Sequence, residues 1–276
     1  MFRGRFKKLA MATGASALVA VAGLAVVPAI AGATGSSPTS TSVTARPAST
    51  TTAHPLTLSA SVVAVTGVAS TIRGVTANVP TGTVTFTITG LHSGTASCKT
   101  SNVVTINHRG KATCHVLAGQ LLAHDSPYNV TATYSGDSNF AASTGNTSVT
   151  VAKARTKTHL KLDSKPVNGS PNSVTATVTT KHGGSLMSGV VVFSVSASPA
   201  TAKSKRTCTN GGDVQPLAIT GNVGTASCEL QAGWFIISKV SPGNKHPHGS
   251  WNVTANYSGD DNFLTSVGTK SGHSKT

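Results

Sequence analysis

Acidic residues are the scarcest component of this sequence. Seven Asp and Glu stand against 22 Lys and Arg in 276 residues, a formal net charge of +15. Hydrolysis by paired carboxylates therefore has few candidates. No Gly-x-Ser-x-Gly elbow, His-Glu-x-x-His pair or phosphate-cradling glycine loop occurs, so the common nucleophile, zinc-hydrolase and nucleotide signatures are absent. Aromatic residues make up only 4% of the chain and no basic run is interleaved with them, which argues against base stacking on nucleic acid. Helical periodicity is lacking throughout. The expectation is a binding or structural module rather than an enzyme, with no catalytic residue, cofactor or metal site.

What is present is a repeat. Tyr128 to Phe140 (YNVTATYSGDSNF) and Trp251 to Phe263 (WNVTANYSGDDNF) share ten of thirteen residues at an offset of 123. Tyr128, Val130, Ala132 and Tyr134 alternate with polar residues, which predicts a strand with one face in a core. Ser-Gly-Asp then supplies turn chemistry, since Gly tolerates positive φ and Asp bonds nearby backbone amides. Tyr134, Gly136, Asp137 and Phe140, with Tyr257, Gly259, Asp260 and Phe263, are thus predicted as a core motif of strand, turn and strand. Calcium at Asp260-Asp261-Asn262 is conceivable, but the first copy has Asp137-Ser138-Asn139, and turn stabilisation is the preferred role.

Short β-rich runs separated by Gly and Pro precede each copy. In the first they are Leu56 to Val65, Ser70 to Val79, Thr83 to Thr89, Asn102 to Asn107 and Lys111 to Leu117, and Thr147 to Val151 follows the motif. In the second they are His159 to Leu162, Asn172 to Thr180, Val190 to Ser196, Leu217 to Ile219 and Thr225 to Leu230. About seven strands per repeat is the count of an immunoglobulin-like sandwich. The fold class predicted is all-β, with two tandem immunoglobulin-like β-sandwich domains at 56–152 and 159–270, a connector at 153–158 and a polar tail at 271–276.

The N-terminus reads as an export signal over 1–33. A basic start with Arg3, Arg5, Lys7 and Lys8 leads into an apolar run from Met11 to Ile30 and the small residues Ala31-Gly32-Ala33. An uncleaved membrane anchor is the rival reading, and Pro28 and the small-residue site favour cleavage. Residues 34–55, almost all Ser, Thr, Ala, Gly and Pro, are predicted as a disordered tether. Beyond residue 33, 18 basic residues face 7 acidic ones, about +11, which favours anionic partners such as an envelope polymer or glycan, or a surface protein. Nucleic acid is not expected, nor is a stable membrane span after cleavage.

One cysteine pair falls in each repeat of an exported chain. The symmetry of the repeats favours the disulfides Cys98 with Cys114 and Cys208 with Cys228. Zinc is the alternative, given His115 beside Cys114 and His246-Pro-His248, but no Cys-x-x-Cys spacing supports it. The largest insertion between the repeats lies between Gly233 and Trp251. There Trp234, Phe235 and Ile236 precede Lys239, Lys245, His246 and His248, a predicted partner loop whose alternative is an extra strand with a long turn. The last strand also differs: Val149 and Val151 follow Phe140 where Gly272 and Ser274 follow Phe263. On this comparison the second domain lacks most of its final strand and has an open sheet edge.

With Gly82-Thr-Val-Thr-Phe86, Gly110-Lys-Ala-Thr-Cys114 and Tyr134-Ser-Gly-Asp-Ser-Asn-Phe140 in order, the chain resembles the bacterial Ig-like repeat domains of secreted and surface proteins. The resemblance covers about 56–152 and 156–270 and implies an antiparallel sandwich. Such domains act as spacers, adhesion modules or appendages to enzymes, and the family has no catalytic residues to carry over. The cysteines depart from its commoner pattern, in which those positions are apolar. The resulting expectation is a secreted or extracellular protein, free or retained at the cell envelope. Its role would be structural or adhesive and non-catalytic, with a carbohydrate-binding accessory module working beside a separate enzyme as the alternative.

Overall fold

Strand identity follows from an alternation of small or β-branched residues that leaves one face apolar. In Lys111–Val116, Ala112, Cys114 and Val116 are buried and Lys111, Thr113 and His115 are exposed. In Tyr128–Tyr134 the inward set is Tyr128, Val130, Ala132 and Tyr134. A computed structural model describes residues 36–65, 79–164, 171–180, 188–198, 208–231 and 249–274. The export signal, the predicted run from Ser70 to Val79 save its last residue, and the predicted partner loop lie outside these.

In chain order the first domain comprises β1 (Thr39–Arg46), β2 (Ser49–Thr51), β3 (Leu56–Ala64), β4 (Thr83–Thr89), β5 (Thr95–Ala96), β6 (Val103–Thr105), β7 (Lys111–Val116), β8 (Tyr128–Tyr134) and β9 (Ser143–Ala152). One sheet runs β1-β3-β7. The other runs β2-β9-β8-β4-β5, with β6 also paired to β4. All pairings are antiparallel except that of β2 with β9. Leu58, Cys114, Phe86, Val130 and Tyr134 from the facing sheets meet in a single core, as in aligned sandwiches.

The second domain comprises β10 (Thr156–Leu162), β11 (Asn172–Thr180), β12 (Val190–Ser198), β13 (Val214–Pro216), β14 (Ala218–Thr220), β15 (Val223–Leu230), β16 (Gly249–Tyr257) and β17 (Ser266–Ser274). Its sheets run β10-β11-β15-β14 and β13-β12-β16-β17. Val174, Val178, Phe193, Cys228, Val253 and Tyr257 form its core. The chain is all-β over its described residues, built as two immunoglobulin-like sandwiches.

The structure corrects the tether. Residues 39–46 are β1, registered along its full length against β3 from Thr39↔Ala64 to Arg46↔Thr57. Its few apolar residues misled because hydroxyl groups are buried here in pairs. The Thr39 and Thr41 hydroxyls each lie 2.7 Å from Ser143 Oγ on β9, and Thr39 also donates to the Ala141 carbonyl at 2.7 Å. A hydroxyl that is hydrogen-bonded can be buried at little net cost. The same trio recurs in the second domain, where Thr156 and Thr158 meet Ser266 Oγ at 2.8 and 2.7 Å. The predicted connector 153–158 is therefore corrected as well: β10 begins at Thr156, and only Lys153, Ala154 and Arg155 lie between β9 and β10.

The shortened final strand is also corrected. β17 pairs with β16 from Ser266 to Ser274, so the predicted tail contributes sheet. Tyr128 faces Val149 in the first domain, whereas Trp251 faces Gly272 in the second. A Cβ on Gly272 would lie 2.5 Å from the indole of Trp251. The larger ring takes the volume of the missing side chain, so apolar character moves to β16 while β17 keeps its backbone ladder.

If β1 is a strand, deleting residues 36–46 should abolish cooperative unfolding of the first domain in calorimetry and leave the second transition in place. A passive tether would leave both transitions unchanged.

Candidate functional site

The repeated motif is built identically in both domains, from the side chains outward. The Tyr134 hydroxyl donates to the Thr81 carbonyl at 2.6 Å and that of Tyr257 to the Ser188 carbonyl at 3.0 Å. Asp137 Oδ1 accepts from the Asn139 and Phe140 amides, each at 2.8 Å, and its Oδ2 from the Thr81 amide at 2.8 Å and hydroxyl at 2.7 Å. Asp260 repeats this with the Asn262, Phe263 and Ser188 amides at 2.7, 2.9 and 3.0 Å. Gly136 and Gly259 hold φ of 75° and 70°, the left-handed region that the turn requires. Phe140 and Phe263 are buried, and beside them Ser37 and Ala154 make parallel bridges that start each domain.

These bonds set the electrostatics. Burial opposes ionisation of Asp137, but hydrogen bonds from Thr81, Asn139 and Phe140 outweigh it and bring its pKa from 3.8 to about 2. Burial, with the Asp137 carboxylate nearby, pushes Tyr134 up to about 12. Burial and Asp260 likewise raise Tyr257. The tyrosine hydroxyl and the aspartate carboxylate of each copy are thus used by the fold. Asp260, considered for calcium, has its carboxylate engaged by backbone amides.

The cysteines form two bridges, Cys98–Cys114 and Cys208–Cys228, with Cα separations of 5.2 and 5.1 Å. The loop after the first cysteine of each pair is capped alike: Asn102 Oδ1 accepts from the Cys98 amide at 2.7 Å and Asp213 Oδ1 from the Cys208 amide at 3.0 Å. Trp234, Phe235, Ile236, Lys239, Lys245, His246 and His248 lie outside the described residues.

One polar cluster was not foreseen. His92, at the turn between β4 and β5, stacks on His124, from the 3₁₀ turn Ala123–Asp125, with ring centroids 4.4 Å apart and planes at 22°. Asp125 is buried beside them, its Oδ1 3.9 Å from His92 Nδ1. The second domain reaches this place through its motif turn. Asn262 Oδ1 accepts from the His124 amide at 3.2 Å, and Asp261 Oδ2 lies 3.8 Å from His124 Nδ1. Around it the domains are tied by Lys153 Nζ donating to the Asp260 carbonyl at 2.7 Å and by Ala53 packing into the second core. No local pattern announces the cluster, because His92 and His124 are 32 residues apart and only the loops bring them together.

Residues 43–152 match the family model of the bacterial Ig-like domain (group 3). A search of the curated proteins returns no match. Among solved structures, the chain is similar to a tetra-tandem repeat in the extending region of a large adhesion protein. That likeness has 15% identity over 87% of this chain and 50% of the other, with a TM-score of 0.40. It is also similar to the Yersinia pseudotuberculosis adhesin InvE, at 16% identity over 85% and 58% of the two chains and a TM-score of 0.38. The chain spans 50% and 58% of the length of these two proteins.

Tyr134→Phe and Tyr257→Phe should each destabilise their own domain by about 0.5–1.5 kcal/mol in urea unfolding, because each removes a hydrogen bond to a loop carbonyl. Asp137 has a folded pKa below its unfolded one, so its contribution is present above about pH 4 and lost as pH falls towards 2. Asp137→Asn should accordingly flatten the acid limb of first-domain stability between those values. Reducing the bridges, which span 16 and 20 residues, should lower stability by roughly 3 kcal/mol per domain on the chain-entropy model, read as a fall in both melting temperatures.

Proposed function

We propose, from the premise that residues 43–152 form a bacterial Ig-like domain of group 3, that this chain is an exported, non-catalytic tandem Ig-like module. Its role is structural or adhesive at a bacterial cell envelope. The observation that carries the reading is the use made of the motif residues. The Tyr, Gly, Asp and Phe that recur in both domains have their polar groups bonded within the fold, which suits a module selected for stable, repeated architecture. A three-residue connector with hydrogen bonds across the junction supports transmission of force or spacing between the domains.

The partner on this reading is an anionic envelope polymer. Of the seven acidic residues, Asp137, Asp260 and Asp213 direct carboxylate oxygens to backbone amides and Asp125 is buried. Meanwhile Lys153, Arg155, Lys157 and Lys161 are exposed within nine residues of chain, and Lys157, His159 and Lys161 share the outward side of β10. Such a basic stripe attracts phosphate- or carboxylate-rich chains. The alternative, a carbohydrate-binding accessory module, predicts recognition of a defined neutral sugar instead.

A pulldown on intact envelopes alongside a glycan array separates the two. The triple substitution Arg155→Glu, Lys157→Glu, Lys161→Glu should reduce envelope retention at least several-fold, and wild-type retention should fall as salt is raised. Retention insensitive to both, with a defined neutral sugar on the array, would favour the accessory module.

A further inference from the structure

We infer that His92, His124 and Asp125 form a binding site for one divalent transition-metal ion of the zinc class at the junction of the two domains. One ring nitrogen from each histidine and a carboxylate oxygen of Asp125 all lie within 4.8 Å of one another. Tetrahedral zinc, with bonds of about 2.0–2.2 Å, holds its ligand atoms roughly 3.4 Å apart. Both imidazoles are about half exposed, so modest side-chain rotations close the set.

The carboxylate is the anchor. Asp125 is 6% exposed and sits under the β4–β5 turn, where Gly94 leaves room for it: a Cβ there would run into Asp125 Oδ2. The turn is held by the Leu91 amide donating to the Asp125 carbonyl at 2.8 Å. On the inner side lies the Tyr128 hydroxyl, which accepts from the Leu122 amide at 2.8 Å. The same hydroxyl hydrogen-bonds the Asp125 carboxylate, and a cation would compensate the rest of its lost hydration. Among the described residues no Lys or Arg pairs with it, and the basic groups facing it are imidazoles.

The imidazoles are stacked, and each has an acceptor near Nδ1, so they reach a common ion by turning their Nε2 atoms towards Asp125. His92 Nδ1–H donates to the His124 carbonyl at 2.9 Å, which in the neutral ring leaves the lone pair on Nε2. His124 Nδ1 faces the Asp261 carboxylate at 3.8 Å. A carbonyl or carboxylate on the far nitrogen is the usual device for orienting metal-binding histidines. Two imidazoles and one carboxylate suit zinc and its neighbours, whereas calcium and magnesium select all-oxygen sets. Three protein ligands leave a fourth position for water or a donor from a partner. Because Asp261 and Asn262 belong to the second domain, an ion that fixes His124 also fixes the junction, and this holds whatever partner the module meets.

Cobalt(II) and zinc titrations of the chain test the site, with cobalt read by its visible d–d absorption and zinc by competition for cobalt. One equivalent should bind per chain. His92→Ala/His124→Ala should abolish the signal while the metal-free chain keeps its fold, read by far-UV circular dichroism, since both rings are about half exposed. Asp261→Asn should weaken binding roughly ten-fold. His115→Ala/His159→Ala, which removes two outward-facing strand histidines, should leave it intact. The absence of a d–d band, a band that survives the His92/His124 double substitution, or one lost instead with His246→Ala/His248→Ala would overturn the assignment, leaving a metal-free His–Asp contact.

Discussion

The structure depends on a carboxylate that is hydrogen-bonded on both oxygens. Asp137 ties the amides of its own turn with one oxygen and the loop entering β4 with the other, and Asp260 does the same before β12. The tyrosine hydroxyl completes the link by donating to the carbonyl of that same loop residue, Thr81 or Ser188. Strands distant in sequence are thereby pinned at one end of each sandwich. The tyrosine and aspartate of the motif are kept in both copies, and each binds the loop that leads into β4 or β12.

Where partners could be exchanged, the copies diverge. Tyr128 against Val149 becomes Trp251 against Gly272, a transfer of volume across a strand pair that leaves the backbone ladder intact. The hydroxyl trios, Thr39–Ser143–Thr41 and Thr156–Ser266–Thr158, are kept. They join the first strand of each domain, paired by backbone to one sheet, to the last strand of the other. Gly145 and Gly268 permit that approach, since a Cβ on either would press on the carbonyl of Thr41 or Thr158. The two sheets are thus closed on each other by polar contacts as well as by the apolar core.

The junction adds a layer that neither domain has alone. The motif turn of the second domain, besides closing its own sandwich, presents Asp261 and Asn262 to His124 of the first. The equivalent turn of the first domain presents Ser138 and Asn139, so the acidic group at the junction is specific to the second copy. One substitution within a repeated turn thus places charge where two domains meet.

Much of this was determined by the sequence itself. A period of two, Gly and Asp at turn positions, and a cysteine pair in each repeat are local or near-local signals, and they defined the strands Thr83–Thr89, Tyr128–Tyr134 and Asn172–Thr180 to the residue. Three things were decided only by tertiary structure. β1 looked like a linker because threonine and serine read as solvent-loving until a partner hydroxyl is known, and that partner, Ser143, lies about a hundred residues away. β17 looked truncated because a glycine reads as a missing side chain until the indole that fills its place is seen. The His92, His124 and Asp125 cluster was illegible because loops carry no period, and only the closing of the sandwich brings their tips within reach.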